Sequence, residues 1–145
     1  MPSWYEGVLK VRGKYEDVVR FFENILKQDL IKVNRYDGEA GLYINKTAYI
    51  CTTERNFVKD DYISIEKREN GTACVAVNMR AAYGITTVPY AKFSEKYNIE
   101  IKIDVFNRGS GQSRHVSIRE GELINNYLGM YDDYTWECIM PTLGG

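Results

Sequence analysis

The chain has 145 residues, of which 44% are hydrophobic and 27% charged, and its formal net charge is −1. This length and composition exclude a disordered chain and predict one domain, residues 1–145, whose core needs neither disulfides nor a structural metal. The sequence has no apolar run of about 18 residues and no apolar leader at its start, so we expect a cytoplasmic protein that does not contact membranes.

The cysteines and the paired acids do not follow a disulfide or metal-binding pattern. Cys51, Cys74 and Cys138 are odd in number and far apart in sequence, so we expect free, mostly buried thiols. Adjacent aspartates at 60–61 and 132–133 lie in predicted loops, where neighbouring side chains point apart. The sequence therefore predicts no metal site and no cofactor.

An alternating strand followed by an amphipathic helix opens the chain. Apolar and polar residues alternate over residues 4–12, and Gly13 follows this run. Over residues 14–27 the apolar residues recur at helical spacing, and Glu16 and Asp17 fall in the first turn, where the helix dipole favours anions. We therefore predict a strand at 4–12 and a helix at 14–27.

The middle of the chain predicts short strands and one tight hairpin. Weakly alternating runs indicate strands at 30–36, 42–44 and 48–53. Residues 54–61 are polar apart from Phe57 and Val58 and indicate a loop. Two β-rich runs at 62–67 and 72–79 flank Asn70-Gly71, a dipeptide that tolerates the positive backbone angles of a tight turn, so we predict that they pair as a hairpin.

A second helix is indicated just beyond residue 86. Thr86 and Thr87 are suited to cap it, Pro89 fits its first turn, and Phe93 and Tyr97 share one face four residues apart.

A three-stranded meander is predicted after this helix. Isoleucine and valine alternate with charged residues over 99–105, which indicates a strand with one buried face. A loop at 107–115 and a turn at Glu120-Gly121 then separate two further strands, at 116–119 and 122–127.

The predicted order of elements is β-α-β-β(-β)-β-β-α-β-β-β. Two helices that each carry an apolar face can cover one side of a single sheet. The fold that satisfies this order is a ferredoxin-like α+β sandwich, with a largely antiparallel sheet and two helices on one face.

The segment 107–115 gathers two arginines, the only histidine and a Gly/Ser turn between two predicted strands. Amides around glycines can form an anion-binding concavity, and arginines can fork onto phosphate oxygens. The segment lacks the Gly-Lys-Ser/Thr ending of a P-loop, and a plain hairpin connection with solvated arginines is the alternative. The residues predicted to bind a ligand are Arg108, Gly109, Ser110, Gly111, Gln112, Ser113, Arg114 and His115.

Catalysis near neutral pH would depend on His115, the only histidine. A pair with Ser110 or Ser113 is conceivable, but no carboxylate that would orient the imidazole is evident nearby in sequence. We therefore expect a solvated loop histidine, no catalytic residue and a protein that is not an enzyme.

Charge is segregated along the chain. Residues 1–119 carry a net charge of +4 and residues 120–145 a net charge of −5. Within the second part, residues 128–145 form a segment in which aromatic and acidic residues alternate, which suits contact with a basic surface of a partner protein. A merely solvated acidic end is the alternative. The residues predicted to bind a partner are Tyr131, Asp132, Asp133, Tyr134, Trp136 and Glu137.

Nucleic acid is disfavoured as a partner. Residues 72–79 lack the glycine-aromatic signature of RNA-binding sheets, and the overall charge is not basic. The sequence leaves open whether the chain forms a homo-oligomer.

Several short motifs recur in one order and resemble a known family. Near the start they are Met1-Pro2-Ser3-Trp4, Leu9-Lys10-Val11-Arg12-Gly13, Glu16-Asp17-Val18 and Phe21-Phe22. Later they are Phe93-Ser94-Glu95-Lys96-Tyr97, Gly109-x-Gly111 and Glu120-Gly121-Glu122. Together they resemble the YubB-like ferredoxin-fold proteins of plasmids, phages and other mobile elements.

This resemblance implies an accessory protein of a phage or mobile element, acting in the cytoplasm of a bacterial host. Such proteins often counter host defence, so we expect a non-enzymatic protein that binds and inhibits a host defence component, for example a CRISPR-Cas or other anti-phage protein. The alternative is a sponge that sequesters a phosphorylated nucleotide immune signal, a small anionic ligand, through the 107–115 loop.

Overall fold

The computed structural model describes residues 3–145 as an α+β protein with a seven-stranded antiparallel sheet, a three-stranded sheet and two main helices. Met1 and Pro2 of the opening motif lie outside the described residues. The strands are β1 (Trp4–Lys14), β2 (Leu30–Tyr36), β3 (Glu39–Ile44), β4 (Ala48–Tyr49), β5 (Asn56–Val58), β6 (Tyr62–Glu66), β7 (Thr72–Ala82), β8 (Ile99–Asn107), β9 (Gln112–Arg119) and β10 (Glu122–Met130). The helices are α1 (Tyr15–Ile25), α2 (Thr87–Tyr97) and the single turn α3 (Tyr134–Glu137).

The seven-stranded sheet is built around β1. Its strand order is β10-β9-β8-β1-β7-β5-β4. β1 pairs with β7 along its whole length and with β8 along most of it, which aligns Leu9 with Val77 and Ile103. Because side chains alternate across a strand, this register gathers the apolar residues of β1, β7 and β8 on one face.

The two main helices cover that apolar face. α1 buries six residues, and its Phe21 ring lies 5.6 Å from the Phe93 ring of α2 and 5.6 Å from the Tyr97 ring. The predictions for these helices and for the Glu120-Gly121 turn are confirmed, since both turn residues adopt positive φ. Thr86 precedes α2 as predicted, but its side chain makes no capping hydrogen bond.

The predicted hairpin between 62–67 and 72–79 is wrong as a pair of strands. The chain does turn where expected: Gly71 has a φ of +85° and the Asn70 carboxamide accepts a hydrogen bond from the Thr72 amide. However, β6 pairs with β3 in the three-stranded sheet, ordered β2-β3-β6, whereas β7 pairs with β1 along its whole length and with β5 only at residues 79–81. Ile63 and Ile65 of β6 join the same core.

Two predicted loops are partly strands. Within 54–61, β5 adds to the edge of β7, and its Asn56 is buried. Within 107–115, only residues 108–111 form the turn, because Gln112 already begins β9. The two apolar residues of β5, Phe57 and Val58, are too few to show a strand period, and the start of β9 is polar, so neither segment predicts a strand.

A buried hydrogen bond between α2 and β5 predicts a measurable stability effect. The Tyr90 hydroxyl donates to Asn56 Oδ1 at 2.6 Å, and burial raises the pKa of the Tyr90 phenol. Tyr90→Phe leaves that buried acceptor unpaired and should lower the free energy of unfolding by about 1–3 kcal/mol, measured by urea denaturation. Tyr97→Phe, which also removes one hydroxyl from α2, is the matched control. An equal loss in both variants would contradict this role for the bond.

Candidate functional site

The turn between β8 and β9 directs several of its amides inward. Arg108 N donates to Leu143 O at 3.0 Å, Ser110 N to Asn107 Oδ1 at 3.1 Å, and Gly111 N to Arg108 O at 3.3 Å. Gly111 has a φ of +67°, as the turn requires. The turn therefore offers fewer donors to an anion than its composition indicates.

The two arginines of the segment lie against different elements. Arg114 Nε donates to Asn126 Oδ1 at 2.7 Å, and its NH1 group donates to Ile85 O at 3.3 Å. It thus lines a cavity of about 150 Å³ near the start of α2. Arg108 lies instead beside Gly145. The two guanidinium groups therefore do not share the cavity that Arg114 lines.

His115 belongs to a chain of hydrogen bonds that joins β8, β9 and Tyr131 just after β10, which corrects the expectation of a solvated loop histidine without a carboxylate. Its Nδ1 lies 2.7 Å from Asp104 Oδ1, and its Nε2 lies 2.9 Å from Ser113 Oγ. Ser113 Oγ is in turn 2.9 Å from the Tyr131 hydroxyl. A carboxylate only accepts, so a neutral imidazole donates from Nδ1 to Asp104 and accepts from Ser113 at Nε2.

The order of these groups is that of a serine-hydrolase triad, but the serine cannot meet a substrate. Ser113 is fully buried between His115 and Tyr131. A Cβ on the opposing Gly129 would lie 2.5 Å from Ser113 Oγ, so the strands leave room only for the existing hydroxyl. A nucleophile needs an approach path to an electrophilic carbon, and here that position is occupied by Tyr131. We conclude that this chain of bonds holds the start of the C-terminal segment against the sheet.

The far part of the C-terminal segment is also fixed to the end of the main sheet. Gly145 N donates to Trp4 O at 2.9 Å, and the Arg108 amide binds the Leu143 carbonyl. A Cβ on Gly144 would lie 2.2 Å from Phe106 O, so the backbone packs closely against β8. Residues 131–145 therefore do not extend freely from the domain.

Between these attachments the segment exposes large apolar side chains beside acids. Trp136 is 86% exposed and Ile139 82% exposed. The predicted partner-binding acids Asp132, Asp133 and Glu137 are all exposed. Glu137 also closes the α3 turn, because its carboxylate accepts from the Asp133 amide at 2.9 Å.

The two remaining aromatic residues predicted to bind a partner, Tyr131 and Tyr134, are less exposed than Trp136. Tyr131 and Tyr134 are only partly exposed, and their rings pack edge to face at 5.5 Å. Burial raises the pKa of the Tyr134 phenol, whose oxygen is enclosed. Of the six residues predicted to bind a partner, four are thus available at the surface and two anchor them.

The structure also bears on the expectations about a metal site, a membrane span and the cysteines. Among residues 3–145 no three His, Cys, Asp or Glu side chains come together as metal ligands. No helix in that range has the length and apolar character to cross a membrane. All three cysteines are free, but only Cys138 is buried, whereas Cys74 is exposed, which corrects the expectation of mostly buried thiols.

The residue that sequence reasoning missed is Asp104. It lies on β8, where charged residues alternate with isoleucine and valine, and its face could be predicted from that alternation. Its pairing with His115 depends on the register between β8 and β9, which the length of the turn sets. A turn assigned to 107–115 rather than 108–111 conceals that register.

The serine at the centre of this chain predicts a local effect on the C-terminal segment. Ser113→Ala removes the acceptor of the Tyr131 hydroxyl and the donor to His115, so residues 131–138 should exchange their amide hydrogens faster. The free energy of unfolding should fall by about 1 kcal/mol. Hydrogen exchange by mass spectrometry measures both. Ser117→Ala, on the same face of β9, is the control, and equal exchange of 131–138 in both variants would contradict the anchoring role.

Comparison of the chain with protein-family models, with curated proteins and with solved structures finds no match. The likeness of its short motifs to YubB-like proteins therefore remains a resemblance. Residues 131–139 form an exposed surface, called here the acidic aromatic surface, in which Trp136 and Ile139 stand among acids.

Proposed function

We propose that this chain is a non-enzymatic accessory protein of a phage or other mobile element that binds and inhibits a host defence protein. The acidic aromatic surface of residues 131–139 would make the contact. The observation that carries this proposal is the exposure of Trp136 and Ile139 beside Asp132, Asp133 and Glu137.

The topology supports the ferredoxin-like fold on which the resemblance depends. β8, β1, β7 and β5 are consecutive in the sheet, every neighbouring pair is antiparallel, and α1 and α2 meet over the same apolar face. This is the pattern of two interleaved βαβ units, with the short strand β5 at one edge and the three-stranded sheet as an insertion. We infer a ferredoxin-like sandwich extended by β9 and β10.

The energetics of interfaces support the assignment of the surface. A single tryptophan can bury about 150–250 Å² and is a frequent hot spot in protein complexes. Leaving 86% of such a side chain in water has no benefit for the isolated fold. The surrounding carboxylates favour a basic partner surface, since complementary charge speeds association and excludes acidic proteins.

The anchoring of the segment also favours binding. A flexible tail would lose conformational freedom when it meets a partner, which weakens affinity. Here Tyr131 is attached to Ser113, and Gly145 to Trp4, before any partner arrives. The segment that carries Trp136 is therefore held at both ends before it binds a partner.

The geometry offers less support to a nucleotide sponge at 107–115. Arg108 and Arg114 contact different elements, and the cavity beside Arg114 has a volume of about 150 Å³. Small-molecule sites usually measure about 300–1,000 Å³, so this cavity is small for a nucleotide. It is large enough for ordered water or one phosphate group.

We predict that removing the exposed tryptophan weakens inhibition and leaves the domain folded. Trp136→Ala should weaken binding to the host partner by about 30-fold, as expected for a hot spot of about 2 kcal/mol, while the unfolding midpoint stays unchanged. Tyr36→Ala, at an exposed aromatic on β2, is the control. Affinity capture from host lysate identifies the partner, and biolayer interferometry then measures both variants.

A plaque assay connects this contact to function. A host with an active defence should again support phage growth when the wild-type chain or Tyr36→Ala is expressed, and should remain resistant with Trp136→Ala. If Trp136→Ala restores phage growth as fully as the wild-type chain, the acidic aromatic surface is not the inhibitory site. If no defence system responds to the wild-type chain, the inhibitor proposal itself fails.

A further inference from the structure

The face of the main sheet opposite the helices carries a groove lined by cations. Its volume is about 440 Å³, and Lys10, Arg12, Lys102 and Arg119 line it. These four side chains are exposed, and Glu100 is the one carboxylate among the lining residues. Arg12 Nε donates to that carboxylate at 2.6 Å, so one of the four cations is already paired.

The strand register places two of these cations directly against each other. Lys10 of β1 lies opposite Lys102 of β8, and both side chains point away from the core. Like charges in directly opposed positions destabilise a sheet. Their other neighbours across the strands are Ala76 and Ser117, which are too small to cover them. The arrangement gives the isolated fold a repulsion that an anion between the two lysines would relieve.

The positive surface continues beyond the groove. An adjoining hollow of about 440 Å³ shares Arg12 and Arg119 with it and adds Lys14 and Arg68. The two hollows together are lined by six cations and by the two carboxylates of Glu100 and Glu120. Six of the 19 lysines and arginines of a chain with a formal net charge of −1 thus lie along one track.

An exposed aromatic ring lies at the side of this track. Tyr127 is 56% exposed and is supported by the imidazole of His115, 5.9 Å away with the two planes at 26°. It is two residues along β10 from Asn125, which lines the groove, and this spacing corresponds to about 7 Å on one face of a strand. A flat ring beside a cationic groove can hold an unpaired base by stacking.

We propose that this groove binds the phosphodiester backbone of a single-stranded nucleic acid. Successive phosphates would lie along Lys10, Lys102, Arg119 and Arg12, and one base would stack on Tyr127. This function is separate from the acidic aromatic surface, and its failure would leave the inhibitor proposal intact. An acidic protein segment or a second copy of this chain could also match the charge, but the exposed ring lies at the side of the cationic track, where a base attached to the bound backbone would reach it.

Fluorescence anisotropy with a labelled oligonucleotide of about 16 nucleotides tests the proposal, since single modules cover about 4–16 nucleotides. Binding should weaken linearly in log-log form as salt rises, with a slope of about −2 if Lys10, Lys102 and Arg119 each neutralise one phosphate. A duplex of equal length should bind more weakly than the single strand. Absence of binding at low salt, or tighter binding of the duplex, would overturn the proposal.

Charge reversal locates the site. The double variant Lys10→Glu with Lys102→Glu should bind at least tenfold more weakly, and Tyr127→Ala about fivefold more weakly. The double variant Lys46→Glu with Lys92→Glu makes the same change of net charge at exposed positions outside the groove and is the matched control. Equal losses in the two double variants would show that binding is a general charge effect, which contradicts the proposal.

The exposed Cys74 provides a direct footprint, because it lines the groove. Saturating oligonucleotide should slow its alkylation by maleimide and leave the rate at Cys51 unchanged. An unprotected Cys74 would place the nucleic acid elsewhere. Sedimentation velocity identifies a competing occupant: a dimer of the wild-type chain that dissociates on reversal of Lys10 and Lys102 would assign the groove to a second copy and overturn the proposal.

Discussion

The pairing of β1 with two long neighbours is the constraint on which the rest of this structure depends. β1 lies between β7 and β8, and its Gly7 approaches β8 so closely that a Cβ would lie 2.0 Å from Asp104 O. This close pairing fixes which side chains of all three strands face the helices. On the opposite face Phe106 and Ser113 are buried near the C-terminal segment, and the exposed part carries the cationic groove. The two ends of β1 support these different surfaces: Trp4 holds the C-terminal segment, while Lys10 and Arg12 line the groove.

The elements that the sequence predicts are those whose buried and exposed side chains lie on opposite faces. α1, α2 and β8 each place apolar residues on one face, so their periodicity is visible in sequence. β5 has only two apolar residues, Phe57 and Val58, which are too few to show a period, and the first half of β9 is polar, so neither predicts a strand. Asn56 and Ser113 are buried by hydrogen bonds to partners far away in sequence, and no local rule identifies those partners.

The hairpin at Asn70-Gly71 shows a second limit of local reasoning. The turn chemistry was read correctly, but turn chemistry determines only that the chain reverses. Whether the flanking strands then pair depends on tertiary contacts that the turn does not determine. Here β7 pairs with β1 along its whole length, and β6 pairs with β3 in a separate sheet.

The basic residues are scattered along the sequence but are clustered in the folded structure. Along the sequence the basic residues before 120 are scattered, and the net charge argues against contact with phosphates. In the fold, antiparallel pairing brings Lys10 beside Lys102 and gathers six cations around two adjoining hollows. Net charge describes long-range attraction, whereas a ligand in contact responds to the local potential within about one Debye length, roughly 8–10 Å.

The hydrogen-bonded chain from Asp104 to Tyr131 shows why geometry alone does not assign chemistry. Aspartate, histidine and serine stand at the distances of a catalytic triad, yet the serine hydroxyl is enclosed by His115, Tyr131 and Gly129. The same donor and acceptor pattern that activates an exposed serine here satisfies the polar groups of a buried one. Accessibility of the serine therefore decides between the two roles, and in this fold it favours attachment of the acidic aromatic surface to the sheet.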